Sequence, residues 1–248
     1  AGASWVIIIV PGAGGTIGSR RVKQARPDGN TLLFLHDGIL SAKYAQQALY
    51  GPEAFAPVAA TGSVGMVICV AESDETNSLT ELLDNASKTP DSITFAANIG
   101  APSYFMAKKL EHAHGTAQFR YVQSGGGAKR FSDLSGGHVT ASAFSISEYL
   151  NFREGGIRAL AILDKERHAS LPATPTAREE GFEIVYKNLQ GWWAPLGTSP
   201  EILKNRRELL SAAFASETMQ TFLEQQCISR DFLGPEEMEA AIQDKVSA

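Results

Sequence analysis

The sequence predicts an α/β fold in which helices cover both faces of a mostly parallel sheet. Apolar, β-branched runs of strand length alternate with stretches of helical pattern along most of the chain, an order typical of strand–helix–strand units. Several of these runs are continuously apolar, which indicates strands buried on both faces. Loops of small residues stand directly between a strand and the next helix, and such loops lie at the ligand-binding edge of a parallel sheet.

The first elements form a predicted strand–helix–strand unit. Residues 6–10 read Val-Ile-Ile-Ile-Val and predict a strand buried on both faces. A glycine-rich turn at 11–15 leads into a helix predicted over residues 16–25. Pro-Asp-Gly at 27–29 predicts a tight turn before a strand at 31–35.

The alternation continues to residue 163 and then gives way to a helical tail. Later strands are predicted at residues 64–70, 93–97, 120–122, 139–143 and 158–163, and helices near 41–49, from 79, over 102–112 and from 128. Ser78 and Glu81 have the spacing of a capping box, which marks the helix start at 79. Ser199 before Pro200 predicts the first of three tail helices, and the last begins near Pro235.

Composition excludes several classes of protein. A chain of 248 residues with 44% hydrophobic and 20% charged residues can bury a sizeable core, as one large or two modest domains. The formal charge of −5, from 22 basic and 27 acidic side chains, argues against a nucleic-acid partner. The apolar run at 6–10 is far shorter than the roughly twenty residues that cross a bilayer. A leader peptide is not recognisable, which does not decide the compartment, because mature exported proteins have lost theirs.

The sequence contains no recognisable catalytic or metal-binding motif. Cys69 and Cys227 have no spacing typical of a metal or redox site. His112 and His114 stand two positions apart at a helix end, so their side chains point in different directions. Nucleophile-elbow and zinc-protease motifs are absent from the sequence. An enzyme assignment therefore has no motif behind it, and the histidines and cysteines offer no set of metal ligands.

The glycine-rich stretch at 12–18 leaves a nucleotide-linked α/β enzyme as an alternative. Glycines between a strand and a helix let a pyrophosphate approach the backbone at a helix N-terminus. The third glycine of the motif would fall at Ile17, and the expected acidic residue would have to be Asp28 or Asp37. The match is incomplete, so a plain turn or a site for another ligand is the simpler interpretation.

Further small-residue loops predict an anion-binding site. Each follows a strand and precedes a helix, so that backbone N–H groups and helix N-termini face the same edge of the sheet. For a single loop, glycines that only permit a tight turn are the simpler interpretation, but several such loops favour a site. The candidate ligand-binding residues are His36, Asp37, Gly38, Ala97, Asn98, Ile99, Gly100, Ser103, Ser124, Gly125, Gly126, Phe144 and Ser145.

Several stretches, in this order along the chain, resemble one family. They are Val10-Pro11-Gly12-Ala13-Gly14-Gly15-Thr16-Ile17-Gly18, Pro27-Asp28-Gly29-Asn30-Thr31, Phe55-Ala56-Pro57-Val58, Gly126-Gly127-Ala128, Gly156-Ile157-Arg158-Ala159-Leu160-Ala161, Leu171-Pro172-Ala173-Thr174-Pro175 and Trp192-Trp193-Ala194-Pro195. Together they resemble the extracytoplasmic solute receptors of tripartite tricarboxylate transporters, the Bordetella uptake gene family, over nearly the whole chain. Because the stretches are collinear, the resemblance is more specific than any one glycine motif.

The resemblance implies a periplasmic-binding-protein-like fold of type II, with two doubly wound α/β domains around a ligand cleft. The first domain would comprise residues 1–73 and 188–248, and the second residues 74–187. Such a receptor is periplasmic and monomeric, and it closes on a small carboxylate that it presents to a membrane permease. The resemblance also implies that backbone amides and ordered water hold the carboxylate at the candidate residues, without catalysis, a cofactor or nucleic acid.

The sequence also departs from the family pattern. The family normally begins with one more strand and helix, whose first loop forms part of the carboxylate site, and we expect this unit to be missing. His36 and Asp37 replace small residues, and a buried Asp37 carboxylate would attract an ammonium group. Phe144 stands where an acidic residue is common, which favours an aromatic ligand. Lys129 and Arg130 could pair with charge on the ligand, but solvated surface residues are the simpler interpretation.

These departures leave the ligand open between a dicarboxylate, an aromatic acid and an amino acid. Two other functions stay open beside the receptor. One is the nucleotide-linked enzyme that uses the turn at 12–18, and the other is a receptor-like scaffold that no longer binds a solute.

Overall fold

The fold is built on a mixed sheet with one long strand at its centre. The structure, a computed structural model, describes residues 4–10 and 12–247. Its strands are β1 (Leu33–His36), β2 (Phe55–Ala71), β3 (Thr94–Ala97), β4 (Arg120–Gln123), β5 (Ala141–Ser145), β6 (Ile157–Ile162), β7 (Lys187–Pro195) and β8 (Phe232–Leu233). Its helices are α1 (Thr16–Lys23), α2 (Gly38–Tyr44), α3 (Leu79–Lys88), α4 (Pro102–His114), α5 (Gly127–Ser135), α6 (Ile146–Phe152), α7 (Pro200–Phe214), α8 (Glu217–Gln225) and α9 (Pro235–Ser247).

Strand β2 belongs to both halves of this sheet. The strand order is β1-β7-β2-β5-β3-β4, and β6 and β8 also pair with β2. The first part of β2, residues 55–65, pairs with β7, and β1 lies beyond β7. The last part, residues 66–71, pairs with β5 and β6, and β3 and β4 follow β5. The two halves of the sheet therefore meet between Gly65 and Met66.

The second half of the sheet carries helices on both faces, as predicted. Ile68 and Val70 of β2 point into a core that includes residues of α3 and α4. The alternate residues Val67 and Cys69 point into a second core with residues of α5 and α6. All four side chains are fully buried, which is the alternation that a strand covered on both faces requires.

The expectation of a mostly parallel sheet is wrong. Among the described strands, parallel pairing is confined to β3 with its neighbours β4 and β5. Strand β2, predicted only at residues 64–70, is seventeen residues long and runs antiparallel to each of its partners. An apolar run indicates burial but carries no information about the direction of the neighbouring strand. Strand β7, which pairs along much of β2, was not predicted.

The strand predicted at residues 6–10 does not form. Side chains in this segment are open to solvent, with Val6 82% and Ile9 85% exposed. A strand needs a neighbour that completes its backbone hydrogen bonds, and none of the strands within residues 4–10 and 12–247 pairs with this segment. Pro11, in the turn predicted to follow, lies outside the described residues.

Helix α2 is displaced from its predicted position. It covers Gly38–Tyr44 instead of residues 41–49. Gln46 has a φ of 57°, a left-handed conformation through which an α-helix does not continue. The helix therefore ends before Gln46. At its other end, only Asp37 separates it from strand β1.

The predicted helix starts in the later part of the chain are confirmed. Ser78 Oγ accepts a hydrogen bond from the Glu81 N–H at 3.0 Å, and Glu81 Oε2 accepts one from the Asn77 N–H at 2.7 Å. Ser199 Oγ accepts from the Ile202 N–H at 3.4 Å at the start of α7. The bonds to Ser78 and Ser199 satisfy N–H groups that the first turn of a helix leaves without a backbone acceptor, and the bond from Asn77 fixes the residue before the cap.

The Ser78→Ala substitution should lower the free energy of unfolding by about 1 kcal/mol, because it removes the acceptor for the first turn of α3. Ser78→Thr keeps a hydroxyl at the same place and should stay close to the wild type. Urea unfolding of the three proteins measures the difference. Equal stability of wild type and Ser78→Ala would show that this cap contributes nothing.

Candidate functional site

A cavity of about 430 Å³ lies where the two halves of the sheet meet. One wall consists of β2 at Val64 and Met66, of β7, and of the end of α8. The opposite wall consists of the N-terminal ends of α4, α5 and α6. A volume of this size suits a small organic molecule.

Five of the sequence-predicted residues line this cavity. They are His36, Asn98, Ser103, Gly126 and Ser145. Ser103 Oγ accepts a hydrogen bond from the Asn98 N–H at 3.0 Å, which fixes the loop before α4. The loops that the sequence singled out after β1, β3, β4 and β5 are therefore brought together at one place.

The other predicted residues do not line the cavity: Asp37, Gly38, Ala97, Ile99, Gly100, Ser124, Gly125 and Phe144. Some have backbone or side-chain groups that hold the surrounding loops. Ser124 Oγ donates to Asp133 Oδ2 at 2.7 Å. The Ile99 N–H donates to Gln123 Oε1 at 2.8 Å.

The Asp37 carboxylate does not supply the negative charge expected in the site. Its side chain is only 3% exposed and forms an ion pair with Lys245 of helix α9. Lys245 Nζ also donates to the Lys187 carbonyl oxygen. Because the charge of Asp37 is already compensated within the protein, the argument that it attracts a ligand ammonium group is wrong.

Phe144 does not make the cavity aromatic. It is fully buried beneath the cavity wall, and the Arg130 guanidinium lies 5.6 Å from the centre of its ring. The apolar part of the lining comes from other positions, including Phe222 and Ile228 of the helical tail. The expectation that position 144 selects an aromatic ligand is therefore not supported by where this ring lies.

Arg130 belongs to the cavity lining, although the surface was its favoured place in the sequence interpretation. The interpretation as a solvated surface residue is wrong, because Arg130 is only 8% exposed and lines the cavity. Its Nε donates to the Ala143 carbonyl oxygen at 3.3 Å, and its Nη1 donates to the Gly125 carbonyl oxygen at 3.0 Å. Its Nη2 has no acceptor among the residues that the structure describes. Lys129, in contrast, is 63% exposed and pairs with Asp133, as expected for the surface.

The charge of Arg130 is held in a partly dry environment. Burial lowers the pKa of the Arg130 guanidinium, and the nearby Glu148 carboxylate opposes this change. A guanidinium has so high an intrinsic pKa that it stays protonated in proteins. The cavity therefore contains a permanent cation fixed by two backbone carbonyl groups and resting on an aromatic ring.

Two helix N-termini add to the positive potential at Arg130. Helix α4 has thirteen residues and helix α5 has nine, and the first residues of both line the cavity. The N–H groups of Gly126 and Gly127, at the start of α5, have no acceptor within the described chain. Unpaired N–H groups at a helix start and the helix dipole both favour an anion.

Glu148 places one carboxylate in the same lining. Its Oε2 accepts hydrogen bonds from Ser145, at 2.9 Å from the backbone N–H and 3.1 Å from Oγ, in the capping box of α6. Its Oε1 approaches Gly127, where a Cβ would collide with it. The absence of a side chain at 127 thus leaves room for this carboxylate at the start of α5.

His36 is a neutral part of the lining. Burial lowers its pKa below the usual value of 6.5, with a smaller opposing effect from Asp37 and further effects of Lys245 and Glu148. Nδ1 of the ring accepts a hydrogen bond from the Gly38 N–H at 2.9 Å. The neutral ring therefore carries its proton on Nε2.

The lowered pKa of His36 predicts a loss of stability in mild acid. As pH falls below about 6.5, the unfolded chain binds a proton at this histidine while the folded chain resists it, so the free energy of unfolding decreases. His36→Asn keeps an acceptor for Gly38 and removes the titrating group. Urea unfolding at pH 7.5 and 5.5 should show a smaller decrease for His36→Asn than for the wild type, and an equal decrease would contradict the assignment.

Other chemistry considered from the sequence finds little support in the structure. Within residues 4–10 and 12–247, no group of three or more His, Cys, Asp and Glu side chains could hold a metal ion. His114, one of the two histidines considered from the sequence, lies beside a single carboxylate, with 3.1 Å between its Nε2 and Asp84 Oδ1. Among the described residues, no strand precedes the glycine-rich stretch at 12–18, as a nucleotide-binding motif would require. Asp28, one of the two candidate acidic residues of that motif, accepts a hydrogen bond from the Asn30 N–H within its own turn. In the same part of the chain, no helix is long and apolar enough to cross a membrane.

Comparison with known proteins gives relatives along the whole chain. A model of the tripartite tricarboxylate transporter family receptor matches residues 2–247. The chain is 28% identical over 245 residues to the protein BugT of Bordetella pertussis, covering 95% of this chain and 74% of BugT. It is 31% identical over 213 residues to a protein from the TAR-I ttuE-ttuC' intergenic region of Agrobacterium vitis, covering 82% of this chain and 60% of that protein. A protein from the tcbD-tcbE intergenic region of Pseudomonas sp. strain P51 is 28% identical over 221 residues, and the chain covers 65% of its length.

Solved structures confirm the predicted periplasmic-binding-protein-like fold. The periplasmic binding protein BugD matches with a TM-score of 0.79 and 27% identity, over 95% of this chain and 81% of BugD. MatC of Rhodopseudomonas palustris, solved with bound malate, matches with a TM-score of 0.83 and 27% identity, over 95% of this chain and 83% of MatC. The chain belongs to the tripartite tricarboxylate transporter receptor family, whose members are periplasmic solute-binding proteins.

Proposed function

We propose that this protein captures a small carboxylate in the cavity and delivers it to the membrane permease of a tripartite transporter. The observation that carries the proposal is the buried guanidinium of Arg130 in the cavity wall, with its Nη2 lacking an acceptor among the described residues. Because Nη2 stays open to solvent, a ligand in the cavity can reach it, and a carboxylate oxygen is a strong, charge-assisted partner for a guanidinium N–H group.

The start of helix α5 supports the same class of ligand. The N–H groups of Gly126 and Gly127 lie in the lining together with Arg130, so a carboxylate on the guanidinium would also meet a helix N-terminus. Malate, the ligand bound to MatC, is a small carboxylate. The combination of one cation and oriented amides holds an anion and offers no nucleophile with a base, so the proposed activity is binding without catalysis and without a cofactor.

We further propose that two units close on the ligand, with residues 1–65 and 188–248 in one and residues 66–187 in the other. This boundary differs from the predicted residue 73 because residues 66–71 pair with β5 and β6 of the second unit. Strand β2 changes its partners beside the cavity, at Gly65 and Met66. Gln47 Nε2 of the first unit donates to the Ile99 carbonyl oxygen of the second at 2.5 Å. Lys245 Nζ, which donates to the Lys187 carbonyl oxygen, links the same two units. Polar contacts of this kind can form on closure and break on opening. In this proposal the receptor acts in the periplasm as a monomer.

Thermal unfolding with added acids tests the proposed function. A ligand at a hundred times its Kd adds about 2.7 kcal/mol to the free energy of unfolding, which raises the Tm by roughly 5 to 10 °C in a chain of this size. The screen should contain malate, adipate, benzoate and amino acids, each at millimolar concentration. The amides of the same acids, which lack the carboxylate charge, are the matched controls and should give no shift. If no acid raises the Tm, the proposed function is wrong.

A further inference from the structure

We infer that the ligand is a zwitterionic amino acid, with its carboxylate on Arg130 and its ammonium group on Glu148. This inference rests on the proposed function and narrows its substrate class. It comes from a donor atom of Arg130 and an acceptor atom of Glu148 that have no partner among the described residues, both on side chains of one lining.

The two charged side chains of the lining form no ion pair with each other. The Glu148 carboxylate is among the charges that act on Arg130. Within the described residues, however, Arg130 donates only to the carbonyl oxygens of Ala143 and Gly125 and forms no direct ion pair. A ligand that carries both charges can lie between them and pair with each.

One carboxylate oxygen of Glu148 is available to a ligand, because it is not buried. Its Oε2 is engaged by Ser145, whereas its Oε1 has no hydrogen-bond donor in the described part of the chain. The N–H groups of an ammonium are suitable donors for a carboxylate oxygen. The carboxylates of a dicarboxylate have no donor to offer and would place another negative charge beside Glu148.

The remaining polar groups of the lining do not change this charge balance. His36 is neutral near pH 7 because burial lowers its pKa, and Asn98 and Gln190 carry amide side chains. Arg130 and Glu148 therefore contribute one charge of each sign. A ligand with one carboxylate and one ammonium group matches that arrangement.

Calorimetric titration with matched pairs of acids tests the inference. The pairs are aspartate and succinate, glutamate and glutarate, alanine and propionate, and phenylalanine and 3-phenylpropionate. The wild type should bind at least one amino acid about tenfold or more tightly than its partner without the amino group, as expected for a charge-assisted hydrogen bond.

Substitution of Glu148 separates the ammonium site from the carboxylate site. Glu148→Gln keeps an acceptor for the capping box of α6 and should weaken binding of that amino acid by about tenfold. Binding of the acid without the amino group should stay equal or become tighter. Glu154→Gln, at an exposed position outside the lining, removes the same charge and should leave both affinities unchanged.

The outcomes distinguish the inference from the function on which it rests. If the acids without an amino group bind as tightly as the amino acids, or if Glu148→Gln tightens both members of a pair, the inference is wrong and the carboxylate receptor stands. If no acid of either kind binds, the proposed function is wrong as well.

Discussion

Arg130→Gln is expected to weaken ligand binding by about 100-fold, which corresponds to roughly 3 kcal/mol of binding free energy. The substitution removes the only cation that lies in the described cavity lining, while glutamine retains a polar group at that position. A carboxylate left beside the starts of α4 and α5 would keep only the weaker attraction of two helix dipoles. Titration calorimetry with the tightest-binding acid of the screen measures the loss.

Two further variants show that this loss reflects the cavity. Arg130→Lys keeps the charge but lacks the planar fork that bonds Gly125, Ala143 and a ligand together, so its affinity should fall between those of Arg130→Gln and the wild type. Lys129→Gln removes a charge one position earlier, on the surface, and should bind as the wild type does. Circular dichroism checks that each variant is folded. Wild-type affinity in Arg130→Gln would contradict the role assigned to this residue.

Lys245→Met is expected to lower the free energy of unfolding by about 3 kcal/mol, because it leaves the buried carboxylate of Asp37 without its partner. The other oxygen of this carboxylate, Oδ1, already has no donor among the described residues. For a chain of this size the Tm should fall by roughly 6 to 12 °C. Urea unfolding and thermal unfolding at pH 7 measure both quantities.

The double variant Asp37→Asn with Lys245→Met is the matched control for this pair. It removes both charges, so most of the lost stability should return, since the uncompensated charge causes most of the destabilisation. Lys204→Met breaks an exposed pair with Glu208 and should change stability by less than about 1 kcal/mol. A loss in Lys245→Met no larger than that in Lys204→Met would refute the structural role of the buried pair.

Features that depend on neighbouring residues in the chain could be predicted. The starts of α3 and α7 follow from Ser78 and Ser199, because a cap acts within its own first turn. The loops at Asn98, Gly126 and Ser145 were placed correctly beside one cavity, because each follows a strand end and precedes a helix.

Features that depend on distant residues could not be predicted. The segment at 6–10 has the composition of a buried strand, but composition does not supply a partner strand. The Asp37 pair with Lys245 joins residues 208 positions apart. Arg130 resembles an ordinary helix-surface residue until Phe144 and the Ala143 carbonyl group of strand β5 are placed beneath it. The residues most important for the proposed ligand were therefore those whose environment comes from other elements.

A crystal structure of the protein with its tightest-binding acid tests the central claim most directly. We expect electron density for the acid in the cavity, with a carboxylate oxygen about 2.7 to 2.9 Å from Arg130 Nη2 and further contacts to the N–H groups of Gly126 or Gly127. An acid bound elsewhere on the molecule, or in the cavity with its carboxylate away from Arg130, would contradict the account.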